Sequence, residues 1–176
     1  TNRQRLELLL DVCRAVQHAH QKGIIHRDLK PSNILVTVLD GQPIPKVIDF
    51  GIAKAISGQL TDASLVTNFA QLVGTPLYMS PEQAELSAED VDTRSDVYSL
   101  GVLHYELLTG TTPFDRERMS SVSFDEFRRI VREEEPPRPS TRVSTLDAAV
   151  TTIAEKHHTD PRTLQHQLQR ELDWIV

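Results

Sequence analysis

Between Val97 and Leu108 the sequence reads VYSLGVLHYELL, and Val97, Tyr98, Leu100, Val102, Leu103, Tyr105, Leu107 and Leu108 leave almost no polar face at helical spacing. A helix that is apolar all round is buried on every side. This stretch therefore predicts a core helix, ended by Gly110, around which the other elements must pack. Thr93 and Asp96 stand at capping-box spacing at its start. Candidate neighbours lie on both sides in sequence. Leu6, Leu9, Leu10, Cys13, Val16 and Ala19 recur every three to four residues, which predicts a helix from about residue 3 to 22 with Gly23 as its C-cap.

Further helices follow the core one. Ser123 with Glu126 forms a capping-box pattern ahead of Phe127, Ile130 and Val131, and that helix stops before Pro136-Pro137. Pro136 to Ser140 reads as a stiff connector to a helix with Leu146, Ala149, Val150 and Ile153 on one face. Asp160-Pro161 opens another, carrying Leu164, Leu168, Leu172 and Ile175, with Trp174 expected in the core beside them. The β content is small: Ile24-Ile25, Ile34 to Thr37 and Lys46 to Ile48 read as short strands, with Asp40-Gly41 as the turn joining the last two. Pro43 and Pro45 predict an irregular approach to the final strand. Residues 51–81 show no sustained period and read as one long loop, a length that usually carries function. The expected fold class is mainly α with a small β-hairpin element.

At 176 residues, 39% hydrophobic, the chain has room for one packed domain. Its net charge of -6 is unevenly spread. Residues 1–36 carry six basic and three acidic groups, 37–90 two and seven, 91–135 six and ten, and 136–176 five and five. Only the first stretch is basic, which argues against a nucleic-acid partner and leaves room for a local phosphate site. The longest uncharged run, Ala63 to Pro81, contains Thr67, Asn68, Gln71, Gly74 and Pro76 and is no bilayer span, so no membrane contact is expected of this segment. A single cysteine, Cys13, fits a reducing compartment, and a cytoplasmic location is expected. His18 and His20 fall on different helix faces and His157-His158 closes a helix, so none of them predicts a metal site.

His26-Arg27-Asp28-Leu29-Lys30-Pro31-Ser32-Asn33 lies between the first two expected strands, and Asp49-Phe50-Gly51 begins sixteen residues beyond Asn33. A random chain of this length would carry the five fixed residues of the first motif roughly once in 20,000, so coincidence is a poor explanation. Gly74-Thr75-Pro76-Leu77-Tyr78, Ser80-Pro81-Glu82 and Asp96 follow in order. The set resembles the catalytic loop, metal-binding segment and activation-segment end of the protein kinases. That resemblance implies the C-terminal lobe of the protein-kinase-like α+β fold over residues 1–176. It places the catalytic loop at 26–33, the activation segment at 49–82 and the buried helix at about 93–109.

The resemblance also implies roles. Asp28 would accept the proton of a Ser or Thr hydroxyl on a protein substrate, Lys30 would neutralise the γ-phosphate of ATP, and Asn33 and Asp49 would hold Mg2+ through hard oxygen donors. Thr75 would hydrogen-bond Asp28 and Lys30 and help dock the substrate. Asp96 would anchor the catalytic-loop backbone. Arg27 marks the kinases in which a phosphorylated activation segment pairs with this arginine. Thr61, Ser64 and Thr67 are the candidate phosphosites, Thr67 foremost, while Gln71 stands where many relatives carry the modified threonine. Lys30-Pro31-Ser32-Asn33 resembles Ser/Thr rather than tyrosine kinases. The Asp40 to Pro45 hairpin, the Ser-Pro-Glu variant and the segment from Pro136 to Asp160 resemble bacterial kinases of the eukaryotic type, which places the chain in bacterial signalling.

No Gly-x-Gly-x-x-Gly and no Val-Ala-Ile-Lys occurs. The N-terminal lobe is therefore expected to be absent and the chain truncated at both ends, with Glu82 lacking its arginine partner and these residues inactive on their own. A membrane anchor elsewhere in a longer protein stays open. The competing class is a non-catalytic kinase-like binding or scaffold module. Its usual mark is loss of Asp28, Lys30, Asn33 or Asp49, and all four are present.

Overall fold

The computed structural model describes residues 2–50, 76–85, 91–146, 148–173 and 175. Residues 51–75, which include Thr61, Ser64, Thr67, Gln71 and Thr75, lie outside the described residues, as does Trp174. The first helix, α1, spans Asn2–Gln21 and buries Val12, Val16 and Ala19. It closes as the glycine predicts: Gly23 takes φ 74°, and Ile24 N reaches back to Ala19 O at 3.0 Å.

Ile24 and Ile25 form no strand. Ile24 is used in ending α1, and the next two amides, of His26 and Arg27, donate to the Asp96 carboxylate rather than to a neighbouring strand. A 3-10 turn at Pro31–Asn33 leads into β1 (Ile34–Leu39), which pairs antiparallel with β2 (Gln42–Val47) from Ile34↔Val47 to Leu39↔Gln42. Asp40 (φ 51°) and Gly41 (φ 77°) supply the two left-handed residues of the hairpin turn. The prolines do not make β2 irregular. Pro43 faces Val38 and Pro45 faces Val36, so both share one parity. A ladder that holds at both positions turns their hydrogen-less nitrogens outward, to an edge with no strand partner among the described residues.

A second 3-10 turn, Pro76–Tyr78, and the four-residue helix α2 (Pro81–Ala84) precede the long helix α3, Thr93–Thr109. The N-cap of α3 is Asp92, whose carboxylate accepts from Arg94 N at 2.8 Å. Thr93 and Asp96 make no capping box: Asp96 lies inside the first turn and its carboxylate serves the loop at residues 26–27 instead. Gly110 ends the helix at φ 73° with its N–H on Glu106 O.

Helix α3 joins two apolar clusters, which makes it central. Val102 and Leu103 pack with Val12, Val16, Leu29, Leu77, Tyr78, Phe127 and Ile130. Leu108 packs with Val143, Ile153, Ala154, Leu164, Leu168 and Leu172. Burial is not complete all round, because Val97 is 61% exposed at the edge of an open cleft with Tyr98, Pro113 and Pro137. Of its buried polar side chains, Ser95, Asp96 and Ser99 lie in the N-terminal half and His104 and Thr109 further along.

The remaining helices are α4 (Arg116–Ser121), α5 (Phe124–Glu133), α6 (Pro139–Thr145), α7 (Ala148–Lys156) and α8 (Pro161–Gln167), the last continuing as a π-type turn over Leu168–Leu172. Ser123 caps α5 by accepting from Glu126 N, and Asp160 caps α8 by accepting from Arg162 N and Thr163 N. Two expectations change here. Pro139 and Ser140 start α6 rather than extend a connector, because proline suits the first helical position. Leu146 is then the C-cap of α6 while Val150 and Ile153 belong to α7, so one expected helix is two. Ile175 is 67% exposed and lies off the apolar face that holds Leu164, Leu168 and Leu172.

Candidate active site

The loop after α1 brings three of the expected residues into contact. Lys30 Nζ lies 2.9 Å from Asp28 Oδ2, and each side chain keeps about a fifth of its surface exposed. Asn33 is buried and donates from Nδ2 to the Asp28 carbonyl at 2.8 Å and to its Oδ2 at 3.2 Å. A carboxylate placed between an ammonium and an amide N–H is fixed in direction as well as in charge. Asp49 is exposed, two residues past the end of β2. The bond from Ile48 N to Asn33 O, 2.9 Å, continues the hairpin ladder by one step and holds Asp49 at the same end of the sheet as Asn33. The hard oxygen donors collected here are the Asp28 and Asp49 carboxylates and the Asn33 side-chain carbonyl. That donor set fits a magnesium ion, which takes one or two protein oxygens and completes its octahedron with phosphate and water. Among the described residues no three His, Cys, Asp or Glu side chains converge as a metal-binding group.

The backbone under Asp28 is tightly held. Arg27 adopts φ 66° and Asp49 φ 57°, left-handed values that disfavour residues with a Cβ. Asp96, fully buried, accepts from His26 N and Arg27 N at 2.8 Å each and bonds His20 Nε2 at 2.7 Å. A buried carboxylate is costly unless its lone pairs are used, and here three partners use them. His26 is also fully buried. Its Nδ1 accepts from Asp28 N at 3.3 Å, so Nε2 carries the proton donated to Ile48 O at 3.0 Å. The imidazole thereby ties the loop to the end of β2, and its ring packs on Phe50 at 4.6 Å between centroids.

The turn and helix at residues 76–85 seat against the same place. Tyr78 hydroxyl donates to Glu106, and burial together with that carboxylate pushes the phenol far up. Ser99 Oγ donates to Tyr78 O at 2.7 Å. Glu82 accepts from Ser95 Oγ at 2.6 Å. Gln83 Nε2 donates to Arg27 O at 2.8 Å, bridging α2 to the loop.

Sequence reasoning missed His20 and Gln83. His20 carries no local signal, since its partner is 76 residues away. Gln83 did have one, because Ser80-x-x-Gln83 is a capping-box pattern, and the box forms. Arg27 precedes Asp28 in the loop at φ 66°, and Thr75 and the candidate phosphosites fall outside the described residues.

The family described as protein kinase domain matches residues 1–172. The chain belongs to the protein kinase family. Its bacterial relatives include serine/threonine-protein kinase PknB of Mycobacterium tuberculosis, 42% identical over 156 residues, which covers 89% of this chain and 23% of the relative. PknB of Mycobacterium leprae is 45% identical over 139 residues, 79% of this chain and 20% of the relative. A probable serine/threonine-protein kinase of Corynebacterium efficiens is 38% identical over 180 residues, 98% and 25% respectively. The chain thus spans about a quarter of the length of these relatives. Its mainly helical architecture with one antiparallel hairpin is that of a kinase C-terminal lobe.

Proposed function

We propose that this chain supplies the catalytic-loop half of a bacterial protein kinase that transfers the γ-phosphate of ATP to Ser or Thr of a protein substrate. The observation that carries the reading is the Asp28 carboxylate held by Lys30 and Asn33, with Asp49 at the same end of the hairpin. Asp28 Oδ accepts the hydroxyl proton as the oxygen attacks phosphorus, and its contact with Lys30 keeps it directed at that hydroxyl. Lys30 balances the charge of the transferred group. Asn33 and Asp49 would hold magnesium, whose positive charge offsets that of the phosphate oxygens. Protein chemistry at phosphorus is otherwise slight, so most of the task is positioning. Cytoplasmic action, where ATP is found, is part of the same proposal. No helix among the described residues is long and apolar enough to cross a membrane.

The test is magnesium-dependent transfer from ATP to a generic Ser/Thr protein substrate by the complete gene product, which Asp49→Ala should abolish. Transfer unchanged by that substitution would overturn the assignment. The 176 residues alone contain no glycine-rich loop, so they should give no transfer. The binding-module alternative has no observation in its favour, since Asp28, Lys30, Asn33 and Asp49 are all retained.

A further inference from the structure

The peptide unit between Arg27 and Asp28 sets where the Asp28 side chain points, and both of its polar ends are bound. Its N–H, on Asp28, donates to His26 Nδ1 at 3.3 Å, and its carbonyl, on Arg27, accepts from Gln83 Nε2 at 2.8 Å. The unit follows a residue at φ 66°, so it sits in a conformation that the local chain does not favour. Asp96 holds the preceding peptide, through Arg27 N at 2.8 Å, and Asn33 holds the following one, through Asp28 O at 2.8 Å. Of these four holders His26 and Asn33 belong to the loop itself and Asp96 to α3, while Gln83 belongs to the short helix α2 at the end of the activation segment. It lies three residues after Ser80 in α2.

Gln83 uses both ends of its amide. Oε1 accepts from Ser80 N at 3.1 Å and from Ser80 Oγ at 3.2 Å, while Ser80 Oγ accepts from Gln83 N. Oε1 therefore belongs to the helix cap, and Nε2 is the donor left for the loop. The assignment of oxygen and nitrogen is fixed by the network, because a flipped amide would set an oxygen against the Arg27 carbonyl. The cap and the brace are thus made by opposite ends of one side chain.

We propose that Gln83 is a positioning residue, which transmits the seating of the activation-segment end at Ser80-Pro81 to the catalytic base by fixing the Arg27–Asp28 peptide. The inference rests on the kinase reading above. When the segment end is seated, the amide reaches Arg27 O and the base is aimed; when it is displaced, that carbonyl loses its donor and the left-handed Arg27 loses one of its supports.

Glu is the informative substitution, because Glu at this position keeps the capping box yet replaces the N–H donor with an acceptor. In the complete gene product, Gln83→Glu should lower kcat by about 10- to 100-fold while KM for ATP stays within about twofold, the pattern of a misaimed group and not of lost binding. Amide exchange at Arg27 and Asp28 should quicken, and exchange across α2 should not. Gln83→Leu, which removes both ends, should speed exchange in α2 as well. Unchanged kcat and unchanged exchange at Arg27 and Asp28 in an active Gln83→Glu enzyme would overturn the brace and leave the kinase reading standing. A wild-type protein that transfers no phosphate would instead overturn the kinase reading, and the catalytic role of Gln83 with it.

Discussion

Asp96 is the point at which the loop at residues 26–33 can be released without touching any group proposed to meet substrate. Its carboxylate, fully buried, accepts from the His26 and Arg27 amides at 2.8 Å each and bonds His20 at 2.7 Å. Asp96→Ala orphans both amides. A buried donor left without a partner costs about 1–3 kcal/mol, so the pair costs about 2–6 kcal/mol. With a urea dependence of about 2 kcal/mol per molar for a chain of this size, the unfolding midpoint should fall by about 1–3 M at unchanged slope. Asp96→Asn keeps one acceptor oxygen and turns an N–H2 toward the other amide. It should lose less than alanine, on the order of a single orphan, about 1–3 kcal/mol. Urea unfolding followed by circular dichroism reads both variants. A midpoint within about 0.3 M of wild type for Asp96→Ala would be worth well under one hydrogen bond and would refute the claim that this carboxylate holds the loop.

Two further outcomes test the packing and the titration. Leu108, fully buried in the second cluster against Leu164 and Leu168, should lose about 2–5 kcal/mol on Leu108→Ala in the same urea assay, and a loss under 1 kcal/mol would mean that the cluster is loosely packed. His157 has its pKa lowered to about 4, by burial first and then by Arg5, while its side chain bonds Asn2. The unfolded chain then binds the proton first, so this contribution to stability is full above about pH 6.5 and drains away as pH falls toward 4. The His157→Gln chain should show a flatter decline in urea midpoint between pH 7 and 5, and an equally steep one would assign the acid sensitivity to other groups. His104, also lowered by burial, acts in the same direction.

The hairpin, the long core helix and the order of the motifs were legible because each is carried by near neighbours in sequence. Asp40-Gly41 fixes a two-residue turn, Gly23 and Gly110 end helices, and Asp28, Lys30 and Asn33 lie close enough to be read as one loop. What escaped was set by distant partners. Thr93 and Asp96 have the spacing of a cap, but the loop at 26–27 offers Asp96 two amides that need an acceptor, and Asp92 is free to cap the helix in its place. Ile24-Ile25 have the composition of a strand, yet the amides that follow are claimed by that same carboxylate. Glu82 was expected to lack its arginine, and the serine in the first turn of α3 that bonds it was not foreseen. In each case local pattern lost to a long-range hydrogen bond that composition does not encode.

That loss explains how the site can hold two strained residues at all. Arg27 at φ 66° and Asp49 at φ 57° each cost on the order of 1–2 kcal/mol in a free chain. The compensation comes from elsewhere in the fold: Asp96 in α3 and Gln83 in α2 hold Arg27, and His26 and Asn33 bind the carbonyl and the amide of Ile48, the residue before Asp49. Phosphoryl transfer asks for a base and metal ligands held in fixed directions. In the proposed site those directions would be set by backbone conformations that residues 26–33 could not keep alone. The geometry of the loop at residues 26–33 is therefore a property of the assembled lobe, and it should fail together with α3 before any of the residues proposed to touch ATP is altered.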